Sequence, residues 1–155
     1  LILEKIDARL VIAGEFWESK DAYLKSIEKL DIGKKVTIID AYIPNEEIPL
    51  FFHASDIVVL PYLTVTGSGL IQLAFGFNKP VVVSGIGSLS EVVRDQETGF
   101  LVPPKNPQAL ANAVTSFFMK SARDTMAEAI KRERNRFSWE HLIKTIEDFL
   151  PYDSQ

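Results

Sequence analysis

Thr66-Gly67-Ser68-Gly69-Leu70 combines two hydroxyls, two glycines and no charge, directly ahead of an apolar stretch with helical character. Such residues at a helix start can hold an anion. Backbone N–H groups point out of the first turn, the helix dipole puts partial positive charge there, and glycine lets a ligand come close to the backbone. Phosphate is the commonest occupant of such a terminus. Thr66 or Ser68 can cap the helix. The same residues also suit a strand-to-helix turn that holds nothing, and the loop alone leaves both readings open. Other chemistries fit less well. No Gly-Lys-Ser/Thr follows, so this is not a Walker loop, and the third glycine of a dinucleotide fingerprint is missing. Gly67-Ser68-Gly69 lacks the Gly-x-Ser-x-Gly spacing of a nucleophile elbow, and no histidine is placed to activate Ser68. His53 and His141 stand far apart in helical patterns and read as structural residues.

The elements that must position this loop are legible as short apolar runs: 9–13, 35–39, 57–60, 80–83 and 99–102. Each is rich in β-branched residues and apolar on both faces, which predicts strands buried in a parallel sheet. Helical patterns fall between them over 19–30, 45–54 and 68–77, the last apolar nearly all round and so expected to be buried. The alternation predicts one α/β domain over 1–155 with a doubly wound, Rossmann-like parallel sheet. Beyond residue 103 the pattern is all helical, over 106–120, 122–134 and 138–150. Asn106 is placed to cap a helix that starts at Pro107. Sheets of this kind bind ligands beyond the carboxyl ends of their strands. Gly14-Glu15-Phe16, Ala41-Tyr42-Ile43-Pro44, residues 62–69, 84–88 and Pro103-Pro104 are therefore the segments of interest.

Composition narrows the function. The net charge of −4 argues against broad contact with nucleic acid or anionic lipid, both of which need clustered Lys and Arg. The basic run at 131–136 has helical spacing and reads as a solvated face. With no cysteine there is no disulfide, thiolate metal site or cysteine nucleophile, which fits a reducing, cytoplasmic setting. The apolar region 57–90 is broken by Pro61, Gly67, Gly69 and Pro80, too often for a transmembrane segment of roughly 18 residues. Between Asp56 and Glu91 only Lys79 carries a charge.

Motif order then supplies a resemblance. Leu10-Val11-Ile12-Ala13-Gly14, the stretch from Val36 to Pro44, and Ala54-Ser55-Asp56-Ile57 through Pro61 are followed by Asn78-Lys79-Pro80-Val81-Val82. Gly87-Ser88-Leu89-Ser90-Glu91-Val92-Val93, Glu97-Thr98-Gly99-Phe100 through Pro104, and Phe137-Ser138-Trp139 complete the series. Over nearly its whole length the chain resembles the C-terminal, donor-binding lobe of nucleotide-sugar glycosyltransferases of the GT-B fold. It is most similar to the retaining, family 4-like enzymes that build sucrose, phosphatidylinositol mannosides and polysaccharides. The resemblance implies that Thr66, Gly67, Ser68, Gly69 and Leu70 meet the diphosphate and sugar of the donor through backbone amides. It implies that Tyr42, Ile43 and Pro44 lie beside the nucleotide base and that Gly14 and Glu15 border the same cleft. A nucleotide-diphosphate sugar is the implied partner, with no metal or cofactor. The resemblance implies that a glycan or lipid acceptor binds through an N-terminal lobe that is not in these residues, a part that could also bring the protein to a membrane face.

Two departures qualify that implication. Related enzymes carry two glutamates separated by seven intervening residues, facing the donor sugar and the ribose; the aligned positions here are Val65 and Leu73, so the catalytic residues are unassigned. Gln72 is adjacent to Leu73 but turned about 100° around the helix, so it can serve the ribose only if the helix shifts. The Arg and Lys that neutralise the diphosphate in the family belong to a strand expected upstream of Leu1, together with the acceptor lobe. A degenerate lobe kept as a scaffold is one alternative. A doubly wound flavin or signalling module is another, although Gly14 and Pro61-Tyr62 stand where a receiver domain needs acids, and Glu15-Phe16-Trp17 is unlike a flavin loop.

Overall fold

The computed structural model describes residues 1–64, 68–119, 122–136 and 139–149. The chain is α/β and divides into two compact units, Leu1–Ala54 and Ser55–Gln155. Among the described residues the strands are all parallel and fall into two sheets. No helix among the described residues is long and apolar enough to cross a membrane.

In the first unit, β1 (Leu10–Ala13) pairs with β2 (Val36–Ile39), Leu10 opposite Val36 and Ala13 opposite Ile39. Parallel neighbours need a crossover, which α1 (Asp21–Lys29) and a 3-10 turn at Gly33–Lys35 provide. The helix α2 (Ile48–Ala54) ends the unit. The strands lie where the apolar runs predict, but their burial does not follow. Leu10 and Val11 remain 48% and 53% exposed, and neither α1 nor α2 has a buried residue. Successive strand residues point to opposite faces, so exposure of both means that neither face of β1 is closed within this unit.

The second unit meets the expectation. Its sheet runs β3 (Val58–Leu60), β4 (Val81–Ser84), β5 (Gly99–Val102), with Val58 opposite Val81 and Val81 opposite Gly99. All four residues of the central β4 are buried, and each fully buried valine contributes roughly 1.5–3 kcal/mol. The unit's helices are α3 (Gly69–Gly76), the short α4 (Leu89–Val92), α5 (Pro107–Met119), α6 (Arg123–Arg136) and α7 (Trp139–Phe149). Ile71, Ala74 and Phe75 of α3 enter the core, while α5 packs on β4 and β5 through residues that include Ala111, Val114 and Phe117. Asn106 caps α5 as expected, its Oδ1 accepting the Ala109 N–H at 2.9 Å.

Steric and polar locks explain two sequence features of this unit. A Cβ on Gly99 would lie 2.3 Å from the Val81 carbonyl oxygen, so only glycine allows β5 to approach β4. The turn before it is closed by wholly buried Thr98, whose Oγ1 accepts the Arg94 N–H at 3.0 Å, and by Asp95, whose Oδ1 accepts the Leu101 N–H at 3.0 Å. The basic run at 131–136 is not simply a solvated face. Glu133 within it is buried and pairs with Arg94 at 2.6 Å, while Arg134 donates to the Gly76 carbonyl at 3.0 Å. The reason is periodicity: Met126, Ile130 and Glu133 share one side of α6, and the first two are core residues.

Candidate functional site

Because Ala13 stands opposite Ile39, the loops after β1 and β2 leave the same, carboxyl end of their sheet. Gly14 extends the ladder by one bond, its N–H donating to the Ile39 carbonyl at 3.0 Å. Its φ of +135° favours glycine although a Cβ there would meet nothing. The next turn is held by Asp40. Its Oδ1 accepts the Phe16 N–H at 3.3 Å, and its Oδ2 accepts from the Lys20 ammonium at 2.6 Å. The Lys20 hydrogen bond first, then the Phe16 amide, hold the Asp40 carboxyl below its ordinary range. The Phe16 ring meets Tyr23 edge-on at 5.5 Å, and the Tyr23 hydroxyl donates to Glu18 at 2.7 Å, which pushes the phenol pKa up. The outcome is a loop fixed at several points that leaves Glu15 exposed and Trp17 98% exposed. Of the segment after β2, Tyr42 is 66% exposed while Ile43 and Pro44 are half-buried. The Pro44 carbonyl accepts the Glu47 and Ile48 N–H groups, turning the chain into α2.

In the second unit, Val65, Thr66 and Gly67 lie outside the described residues. Ser68 occupies the cap position of α3 with extended backbone (φ −139°, ψ 109°), but its side chain makes no cap hydrogen bond. Its hydroxyl lies instead 3.3 Å from the Tyr62 hydroxyl, which ties the two ends of the loop together. That corrects the expectation of a Ser68 side-chain cap: the extended backbone lets the hydroxyl meet a phenol on the other side of the loop. Gly69 opens the helix with free space where a Cβ would stand, and Leu70 beside it is exposed. No acidic or basic residue occupies the first turn of α3. Gln72 is exposed and Leu73 half-buried, so the carboxamide reaches solvent from the position next to the one the resemblance marks.

The structure therefore gathers Gly14, Glu15 and the start of Tyr42-Ile43-Pro44 at one sheet end, and Ser68, Gly69, Leu70 and Gln72 along the first turns of one helix. Asp40 was not among the expected residues, and Tyr62 entered only as the first residue of the 62–69 segment. An acid directly after an apolar strand, at its ligand end, is the signal that marks Asp40; nothing in the sequence pairs Tyr62 with Ser68. A shallow depression lined by Leu3, Ile6, Asp7 and Lys35 belongs to the opposite, amino end of the first sheet. Among the described residues no group of three or more His, Cys, Asp or Glu could hold a metal ion.

Comparison with known proteins bears on the family and the fold. An uncharacterized glycosyltransferase of Methanocaldococcus jannaschii is 29% identical over 147 residues, covering 92% of this chain and 37% of that protein. D-inositol 3-phosphate glycosyltransferase of Corynebacterium urealyticum is 32% identical over 121 residues, covering 77% of this chain and 28% of that enzyme. The chain thus spans about a third of the length of these relatives. Among solved structures, Anabaena HepE in complex with UDP-glucose superposes with a TM-score of 0.72 at 23% identity, over 91% of this chain and 41% of that one. That likeness supports the Rossmann-like fold of a GT-B lobe. The family described as glycosyl transferases group 1 matches residues 1–136, and the chain belongs to that family.

Proposed function

We propose that this chain is the donor-binding lobe of a transferase that moves a sugar from a nucleotide-diphosphate sugar to an acceptor, with retention, in glycan or glycoconjugate biosynthesis. The observation that carries the reading is the start of α3. An uncharged loop, tied by Tyr62 and Ser68 after the carboxyl end of β3, runs into a helix whose first residue, Gly69, leaves its surroundings open. In this reading the backbone amides of residues 66–70 meet the diphosphate, and Gly14, Glu15, Tyr42, Ile43, Pro44 and Gln72 serve the base and ribose. Sugar transfer rests on electrostatic stabilisation of the departing diphosphate. One helix terminus contributes only about 0.3–1 kcal/mol per charge. The 155-residue chain by itself is therefore expected not to transfer sugar, and to bind a donor no tighter than about millimolar.

Gly69→Val tests the reading in the native protein. The added side chain enters open space, so the fold is expected to persist while the backbone is screened from the ligand. Calorimetry is expected to show donor affinity reduced about tenfold or more, equivalent to about 1.4 kcal/mol, with a smaller effect for Thr66→Ala. Unchanged affinity in the Gly69 variant would return the loop to a plain turn. Leu73 favours a second reading: with a half-buried apolar side chain where the resemblance has a glutamate, the lobe binds donor without supporting transfer. Donor binding with no turnover in the native protein would select it.

A further inference from the structure

We infer that Asp40 is a positioning residue for nucleotide recognition, holding the loop from Gly14 to Lys20 in the one shape that presents Glu15 and Trp17 at the carboxyl end of the first sheet. This rests on the reading that the Gly14–Glu15 turn borders the nucleotide. The argument begins with what that loop lacks. Its flanking strand β1 is half exposed and α1 buries nothing, so packing does not fix the loop's path. Gly14, at φ +135°, adds backbone freedom where the loop begins. A loop so weakly packed is expected to sample many conformations.

Asp40 opposes that freedom from a neighbouring strand, 24 residues away in sequence from Phe16 and 20 from Lys20. One carboxylate oxygen takes the Phe16 N–H and the other takes the Lys20 ammonium, so a single side chain clamps the middle and the end of the loop. Phe16 lies between Glu15 and Trp17, and fixing its amide sets the direction of both neighbours. An indole left 98% exposed on a tied-down loop is a surface awaiting a flat partner, and a nucleoside offers one. The Phe16–Tyr23 ring contact and the Tyr23–Glu18 hydrogen bond brace the same turn from its outer side. Asp40 itself has both oxygens engaged by the protein, which is why its role is to position and not to touch the ligand.

The test uses the native protein and three probes, UDP, GDP and ADP, with binding followed by calorimetry and by amide shifts of residues 14–17. Whichever probe binds is expected to shift those amides in the wild type. Asp40→Ala is expected to weaken its binding about tenfold and to raise KM for the corresponding sugar nucleotide while kcat stays within about twofold. Asp40→Asn keeps an acceptor for the Phe16 N–H and is expected to recover most of the loss. Lys20→Met, which removes only the ion pair, is expected to cost about threefold and guards against an alanine variant that does not fold. If the wild-type amides shift but Asp40→Ala and Lys20→Met bind normally, the positioning role is overturned and the site reading survives. If none of the probes moves residues 14–17, both fall together.

Discussion

β4 and β1 are both short, apolar, parallel strands, yet every residue of β4 is buried and Leu10 and Val11 of β1 are about half exposed. The difference lies in what surrounds them. β4 has a hydrogen-bonded strand on each side and α5 on its sheet, whereas β1 has one partner strand and two helices that bury nothing. An apolar strand states what it needs and cannot supply it alone. The two units accordingly secure their loops by different means. Unit two adds packing and steric fit, at Gly99 and the core face of α3, to polar ties such as that of buried Thr98 to the Arg94 N–H. Unit one relies on polar ties, chiefly the two bonds to Asp40.

That contrast can be broken by measurement, starting with the largest effect. Phe75→Ala removes a ring that is 1% exposed and is expected to cost about 3–5 kcal/mol in urea unfolding. A loss under about 1 kcal/mol would mean that the core of the second unit is not what holds it. Acid comes next, because the Asp40 carboxyl is held below its ordinary value of 3.8 in the folded state. A depressed folded value means that the tie is fully present above pH 3.8 and is lost as pH falls through that value toward the lower folded one. Titrating the Phe16 amide by NMR is expected to give a midpoint below 3.8, and a midpoint at or above it would rule out the clamp. The smallest effect is expected for Val11→Ala, under about 0.5–1 kcal/mol, since the side chain is already 53% exposed. A cost matching that of Phe75→Ala would show that β1 is covered in the native protein and is not the half-exposed strand seen here.

Local pattern carried much of the fold into view. Among the described residues, all five strands and six of the seven α-helices lie within a few residues of where alternation and periodicity put them, and the Asn106 cap is where Asn-Pro predicts it. The motif series also identified the family. What escaped was set by partners distant in sequence. Glu133 reads as one charge in a basic run until α6 turns it toward Arg94, 39 positions earlier. The constraint on Gly99 exists only once β4–β5 register puts Val81 opposite it. The link between Tyr62 and Ser68, and the reach of Asp40 to Phe16, depend on loop paths that no periodicity encodes. Exposure of β1 was the largest surprise for the same reason, since burial belongs to an assembly and not to a strand.

The Gly99 contact also bears on how this sequence can change over generations. The obstruction to any larger residue is chiefly the carbonyl oxygen of Val81, with its Cγ2 methyl further away at 2.8 Å. A methyl can be trimmed by mutating residue 81, but every amino acid brings the same carbonyl. No side-chain substitution at the facing position can therefore act as a second-site suppressor of a change at Gly99. A lineage that loses this glycine must regain it by reversion or move the backbone of β4.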